Sequence, residues 1–279
     1  MTTAPMSTTR ISSPTHSRVH TIPAEIGPFA LMQARACAFA GPFLLLLLVA
    51  RHVHVPWLAH YDLLLVGALG IQVALIKLKL EPLREVFALA AFHALGLGLE
   101  VFKTSSGIGS WSYPEHSTFH IMTVPLYSGF MYASVASYIM QAWRIFDIRL
   151  HRFPPQSVCI LICAAIYVNF FTEHFVGDFR LALAAAVALL FCRTEVDYKI
   201  STARRRMPLL AAFLSIGAFV WVAENIATYC GAWQYPNQHH AWTIVHGSKI
   251  GSWTLLVVIS FIIVASLKRA FPTADGGRR

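Results

Sequence analysis

The chain has 279 residues, of which 56% are hydrophobic and only 13% are charged, and its formal net charge is +9 at pH 7. So few polar residues cannot cover a soluble globule, which leaves apolar surface to face lipid. Because the Lys and Arg residues lie in short runs between apolar stretches, the composition argues against a nucleic-acid-binding protein.

The N-terminal segment is rich in Thr, Ser and Pro and lacks the continuous apolar core of a signal peptide. We therefore expect residues 1–27 to be a disordered cytosolic tail that is not cleaved, and the first apolar segment to direct the chain to the membrane. A short cytosolic tail is also expected at residues 270–279.

A helix needs about 20 apolar residues to cross the hydrocarbon core of a bilayer. This criterion predicts an all-α fold, a polytopic transmembrane helix bundle with eight spans. The predicted spans are residues 28–50, 58–76, 84–103, 119–143, 156–174, 176–192, 207–230 and 242–267. The first and sixth are the weakest, because Arg35 lies in the first while Asp178 and Arg180 lie at the start of the sixth.

The distribution of positive charge predicts the orientation, because cytosolic connections carry more Lys and Arg than outer ones. With eight spans and an inside N-terminus, most of the 22 Lys and Arg residues fall in inner segments. The outer connections hold only Arg51, Lys103 and Arg180. We therefore expect a multi-pass protein of the inner (plasma) membrane with both termini in the cytoplasm.

A six-residue pattern occurs twice in the chain. The connection after the third span reads Gly109-Ser-Trp111-Ser-Tyr113-Pro114 (motif 1), and the one after the seventh reads Gly231-Ala-Trp233-Gln-Tyr235-Pro236 (motif 2). The shared pattern G-x-W-x-Y-P recurs at an offset of 122 residues. Glu100 and Glu224 precede the two motifs at nearly the same distance.

We interpret this recurrence as a duplication, with transmembrane repeat 1 at residues 28–150 and repeat 2 at residues 151–269. Four spans per half is an even number, so the halves are expected to be parallel, with both motifs at the outer face. The alternative is a pair of interfacial aromatic belts, since Trp and Tyr prefer the membrane interface and Gly and Pro shape short loops.

Ionisable side chains inside a span are costly and usually face a partner or a cavity. We therefore predict a polar pocket that opens to the outer face between the halves. The candidate catalytic groups are Glu100, Glu224 and Lys249. The candidate substrate-binding residues are Trp111, Tyr113, Trp233, Tyr235, His93, Asn169, Glu173 and Asn225. The alternative is that Lys249 neutralises Glu224 or Glu100 in a buried pair that only fixes helix packing.

No metal site and no cofactor are predicted. His116 and His120 have the i, i+4 spacing that binds zinc on a helix, but no His-Glu-x-x-His pattern is present. The five cysteines lie in or at the ends of apolar spans without a paired metal-binding motif, so we expect them to be buried.

Five stretches of the sequence resemble the YoaT-like family of bacterial integral membrane proteins, domain-of-unknown-function family 817. These stretches are residues 100–103, 109–115, 124–131, 141–144 and 249–253. The resemblance extends over nearly the whole chain after the tail and implies a bacterial membrane protein, without implying any chemistry. The carboxylate followed by Gly-x-Trp-x-Tyr is also similar to membrane carotenoid hydratases and cyclases, over about a tenth of the chain.

These observations favour a protein that binds or modifies a lipid or isoprenoid, with membrane lipid as its partner. A carboxyl group removed from water can donate a proton near neutral pH, and aromatic faces stabilise a developing cation. One alternative is a secondary transporter or channel for a small solute, since parallel repeats also occur in carriers. Another is a chromophore protein with Lys249 as a Schiff-base amine.

Overall fold

The computed structural model describes residues 22–270, so residues 1–21 and 271–279 of the two predicted tails lie outside the described residues. Within this range the chain is mostly helical, and nine α-helices follow one another along it. The helices are α1 (Ile22–Ala36), α2 (Ala40–Ala50), α3 (His60–Lys77), α4 (Leu83–Lys103), α5 (Gly129–Ile145), α6 (Gln156–Thr172), α7 (Arg180–Phe191), α8 (Leu209–Tyr229) and α9 (Lys249–Ala270).

Five short strands form two antiparallel sheets that the all-α prediction did not include. The strands are β1 (His120–Ile121), β2 (Val124–Pro125), β3 (Arg149–His151), β4 (Glu195–Ile200) and β5 (Ala203–Pro208). The first two pair with each other, and the other three form a sheet in the order β3-β4-β5. In that sheet Asp197 lies opposite both Arg149 and Arg206. Cross-strand charge pairs contribute to this sheet, and hydropathy does not detect them.

The first helix begins earlier than predicted. α1 starts at Ile22, whereas the first span was predicted from residue 28, so residues 22–27 are helical and not disordered. Glu25 lies in the first turn, where a negative charge interacts favourably with the helix dipole. Its carboxylate lies 2.8 Å from the Arg205 guanidinium, and this ion pair joins the start of α1 to β5.

The first predicted span consists of two helices, α1 and α2, with a bend of 70° between them. Pro42 lies in the first turn of α2. Proline lacks the N–H that would bond to the Ala38 carbonyl, and its ring clashes with that carbonyl in a continuous helix. The break therefore occurs just before Pro42.

Three other predicted spans begin later in the structure than in the prediction. α5 begins at Gly129 rather than at residue 119, because residues 120–128 form β1, β2 and a short 3₁₀ turn. α7 begins at Arg180 rather than at 176, and α9 at Lys249 rather than at 242. The connections before these three helices contain apolar residues, so the hydropathy criterion counted them as part of the spans. The predicted boundaries of α3, α4, α6 and α8 agree with the structure to within two residues.

Four helices, α3, α4, α8 and α9, are long and apolar enough to cross a membrane. The bent pair α1–α2 adds a fifth if it is counted as one span, whereas α6 and α7 are shorter apolar helices. Residues 22–270 thus give four or five spans and do not confirm eight. One of the short apolar helices, α7, has 12 residues. Its length of about 18 Å compares with a hydrocarbon core of about 30 Å.

Polar contacts between helices gather at the two ends of the bundle. The end that holds motifs 1 and 2, the last turn of α4 and the first turn of α9 is called the motif end. There Lys103 of α4 forms an ion pair with Glu173, which follows α6. The end that holds the β3-β4-β5 sheet is called the sheet end. There Arg144 of α5 and Lys268 of α9 both form ion pairs with Glu85 of α4.

The helix packing places α9 at the centre of the bundle, against α5, α6, α7 and α8. α4 packs along α5, and α8 packs along α9. α2 contacts α8, and α6 contacts α4. The cysteines differ in their surroundings, because Cys159 and Cys230 are buried as predicted whereas Cys192, just after α7, is exposed.

Candidate functional site

The carboxylate of Glu100, in the last turn of α4, is 2% exposed and accepts three hydrogen bonds. Its donors are the Trp111 indole N–H at 2.6 Å, the Tyr113 hydroxyl at 2.7 Å and the Tyr132 hydroxyl at 2.7 Å. Burial, and then the charge of Glu100, raise the pKa of the Tyr113 phenol well above its usual value. The phenol therefore stays protonated and remains a donor. Motif 1 thus folds back onto the helix that precedes it.

The carboxylate of Glu224, near the end of α8, is also 2% exposed and has a similar arrangement. It accepts hydrogen bonds from the Tyr235 hydroxyl at 2.6 Å and from the Trp253 indole N–H at 2.7 Å. Burial, and then the charge of Glu224, also raise the pKa of the Tyr235 phenol well above its usual value. Each carboxylate thus binds the tyrosine of its own motif and a side chain from the helix that follows.

The two motifs lie side by side and pair with each other. Ser112 and Gln234 form an antiparallel bridge in which each backbone N–H donates to the other's carbonyl at 2.9 Å. These residues occupy equivalent positions of the two motifs. The Trp111 and Tyr235 rings meet edge to face, with centroids 6.2 Å apart. Glu100 and Glu224 are therefore joined through one aromatic cluster.

Lys249, the first residue of α9, is half-buried beside this cluster. Its Nζ lies 4.7 Å from the centroid of the Tyr235 ring and 5.7 Å from that of Trp111, within the range of cation–π attraction. Between residues 22 and 270 no carboxylate oxygen lies within 4 Å of this Nζ, so the direct ion pair expected with Glu224 or Glu100 is not present.

Glu173 belongs to a second, ionic cluster at the motif end. The buried Lys103 Nζ lies 2.5 Å from Glu173 Oε1 and 3.0 Å from the His174 ring nitrogen. The Arg180 Nε lies 3.5 Å from Glu173 Oε2, and its guanidinium also donates to the Ser252 hydroxyl at 2.8 Å. Ser252 lies in the first turn of α9, so this cluster adjoins the turn that holds Lys249.

Four predicted binding residues make no hydrogen bond or ion pair with either carboxylate among the described residues. Asn169 accepts the Phe179 N–H, and Asn225 accepts the Val245 N–H, so both hold loop backbone. The His93 ring packs against Phe130 with centroids 4.6 Å apart. Trp233 is buried in an apolar cluster against which Trp111, Tyr113 and Tyr235 also pack. In the described part of the chain no hydrogen bond, ion pair or ring contact joins these four side chains to either carboxylate or to Lys249.

Four contributors were not among the predicted site residues, namely Tyr132, Trp253, Lys103 and Arg180. The signal for the first two was available, because Gly129 and Gly251 also match at the offset of 122 residues and Tyr132 and Trp253 follow them closely. The sequence predicts only that Lys103 and Arg180 lie in outer connections. An isolated cation in a sequence does not reveal which carboxylate it will meet.

Both carboxylates of the predicted polar pocket are 2% exposed and are bound by their aromatic donors. Beneath Tyr132 a narrow apolar crevice has a volume of about 30 Å³. Ligand pockets commonly measure about 300–1,000 Å³. Its lining includes Phe92, Leu95, Leu99, Tyr132, Tyr167 and Ile259. The crevice is therefore an approach to the Glu100 cluster that a ligand would have to widen.

Comparison with known proteins gives a family without an assigned activity. A family model described as "Protein of unknown function (DUF817)" matches residues 25–261. The "Uncharacterized protein YoaT" of Bacillus subtilis (strain 168) is 46% identical over 245 residues, which cover 88% of this chain and 92% of that protein. No solved structure matches the chain.

Proposed function

The chain belongs to the DUF817 family, as the sequence resemblance predicted, and we propose that it is a multi-pass membrane protein that binds or modifies a lipid or isoprenoid at its motif end. The observation that carries this proposal is that two buried carboxylates, each bound by the tyrosine of its own motif, meet in one aromatic cluster. Helix packing alone does not require such groups, because burying a carboxylate is costly and apolar side chains pack without that cost.

We further propose eight spans arranged as two parallel four-helix repeats, with α1–α5 in the first and α6–α9 in the second. Equivalent helices make equivalent contacts: α4 packs on α5 as α8 packs on α9, and α2 contacts α8 as α6 contacts α4. The antiparallel pairing of Ser112 with Gln234 is the arrangement expected beside a two-fold axis. Exposed apolar residues before α7, including Phe175 and Val176, would extend the apolar length of this short helix.

The proposed orientation places the motif end outside and the sheet end, with both termini, in the cytoplasm of a bacterial cell. The support is the concentration of arginine at the sheet end, in and around the β3-β4-β5 sheet. Positive charge is retained on the cytoplasmic side during insertion. The apolar helices support a membrane location, but they do not indicate which end of the protein faces the cytoplasm.

The faces of the aromatic rings in this cluster are suited to bind a cation. The Lys249 ammonium already lies over the faces of Tyr235 and Trp111, one ring from each motif. Ring faces oriented in this way would stabilise positive charge that develops on an isoprenoid. Lys249 would have to move aside or bind an anionic group of the same ligand.

Of the two carboxylates, Glu224 is the better placed to exchange a proton with a ligand. An ionised carboxylate can accept about four hydrogen bonds. Glu100 accepts three and Glu224 accepts two, so Glu224 keeps more free acceptor capacity. In this proposal Glu224 is the acid or base, and Glu100 holds Trp111 and Tyr113 in position.

Mass spectrometry of the lipids that copurify in a gentle detergent tests this function. We expect a lipid or isoprenoid enriched over the membrane extract, with the enrichment lost in Glu224→Gln and kept in Glu195→Gln. The control removes a half-exposed carboxylate at the sheet end. The same lipid profile with all three proteins would show that the proposal is wrong. Solute uptake into proteoliposomes would then test the transporter alternative.

A further inference from the structure

Two arginines at the sheet end lack a protein partner. Arg152 follows β3, and Arg193 follows α7; both are exposed. Within residues 22–270 neither guanidinium donates a hydrogen bond or forms an ion pair. The neighbouring Arg144, Arg204 and Arg205 do pair, with Glu85, Asp197 and Glu25. Local carboxylates therefore pair with several cations of this end, and Arg152 and Arg193 are not among those cations.

The backbone holds these two arginines on one rim. The Thr194 hydroxyl donates to the Arg152 carbonyl at 3.1 Å, and the Thr194 side chain is buried. Because Thr194 is the next residue after Arg193, this hydrogen bond fixes the two connections side by side. A third cation is close, since the Arg269 guanidinium lies 4.7 Å above the ring of Phe153.

The same two arginines line an open depression of about 620 Å³ with an apolar wall. Its other lining residues are Pro154, Leu189, Leu190 and Cys192. Leu189 is 77% exposed and lies on the last turns of α7, whose residues after Arg180 are all apolar. The depression thus has guanidinium groups at its rim and leucine side chains beside them.

From this arrangement we infer that Arg152 and Arg193 bind the phosphate headgroup of an anionic membrane phospholipid, whose acyl chains lie along α7. Arginine binds phosphate oxygens through two parallel N–H donors, and basic pockets beside membrane helices take anionic headgroups. A soluble anion would use the rim but would leave the leucine wall exposed to water. This site is separate from the motif-end function, because it lies at the opposite end of the bundle.

Native mass spectrometry of the delipidated full chain, titrated with phosphatidylglycerol, tests the inference. We expect wild type to bind phosphatidylglycerol more tightly than phosphatidylcholine, and R152Q/R193Q to weaken that binding by about 25-fold, or about 5-fold for each arginine. R152K/R193K should retain most of the affinity because it keeps both charges.

The matched control is R149Q/R206Q, which removes two exposed charges from the same sheet without touching the depression. It should bind phosphatidylglycerol within about two-fold of wild type, since neither Arg149 nor Arg206 lines the depression. An equal loss in both double variants would overturn the inference, because general charge would then explain binding. Displacement of the lipid by an equal concentration of inorganic phosphate would also overturn it. If R152Q/R193Q does not fold, the two single variants provide the same comparison.

Discussion

Glu224 differs from the usual buried carboxylate, because its closest partners are neutral donors and not a cation. Tyr235 and Trp253 donate to it at 2.6 and 2.7 Å, whereas the Lys249 ammonium lies over the Tyr235 ring. At short range, hydrogen bonds therefore stabilise this charge. Removing one donor leaves a buried acceptor unsatisfied, which costs about 1–3 kcal/mol.

This difference leads to a prediction about which residue pairs are coupled. In double-mutant cycles of thermal stability in detergent, Tyr235→Phe with Glu224→Gln should show a coupling energy of about 1–2 kcal/mol, because the two side chains share a hydrogen bond. Lys249→Met with Glu224→Gln should show a smaller coupling energy, because no direct contact joins the two side chains and Lys249 lies over the Tyr235 ring between them. Strong coupling in the lysine cycle alone would indicate a direct ion pair and contradict the geometry.

Helices α4 and α5 approach each other closely at Gly96. A Cβ added to Gly96 would overlap the Tyr132 ring and come within 2.9 Å of the Tyr132 Cβ. Tyr132 cannot move away freely, because its hydroxyl is bound to Glu100. Gly98 lies on the same helix with no atom within 4 Å of an added Cβ, so its Cβ would point into open space.

We therefore predict that Gly96→Ala destabilises the protein by about 1–3 kcal/mol through overpacking. Gly98→Ala should be neutral or slightly stabilising, since alanine is the better helix former. Thermal unfolding in one detergent measures both variants. Intrinsic tryptophan fluorescence should change only in Gly96→Ala, because Trp111 shares the Glu100 carboxylate with Tyr132. Equal stability of the two variants would mean that α4 and α5 are not in this close contact.

In the molecule as a whole, the polar contacts between helices lie either at the motif end or at the sheet end. Such an arrangement requires the chain to reverse direction at each successive segment, including the short helices α6 and α7. The proposed eight spans meet this requirement. A chain with only the four or five spans that satisfy the length criterion would have to bury some of these reversals within the membrane.

Topology reporters test this arrangement directly. A reporter that is active only outside the cytoplasm should be active when fused after Ser112 or Gln238 and inactive after Arg152 or Arg205. The first two positions lie at the motif end and the last two at the sheet end. As a label-free check, the exposed Cys192 should react with an impermeant maleimide in inverted vesicles but not in intact cells. Activity of the 112 and 238 fusions in opposite compartments would contradict parallel halves.

From the sequence alone, the family could be predicted from its motifs. The predominance of apolar helices and the ends of α3, α4, α6 and α8 could also be predicted, because hydropathy and proline act locally along the chain. The sequence also identified the two motifs with their carboxylates. The pairing of Ser112 with Gln234, and the hydrogen bonds of Tyr132 and Trp253 to the two carboxylates, became visible only in the folded chain. The tertiary structure also decided that Lys249 faces aromatic rings instead of a carboxylate. The physical reason is that the strength of a hydrogen bond or ion pair depends on distances of a few ångströms between atoms far apart in the chain, and sequence spacing does not fix those distances.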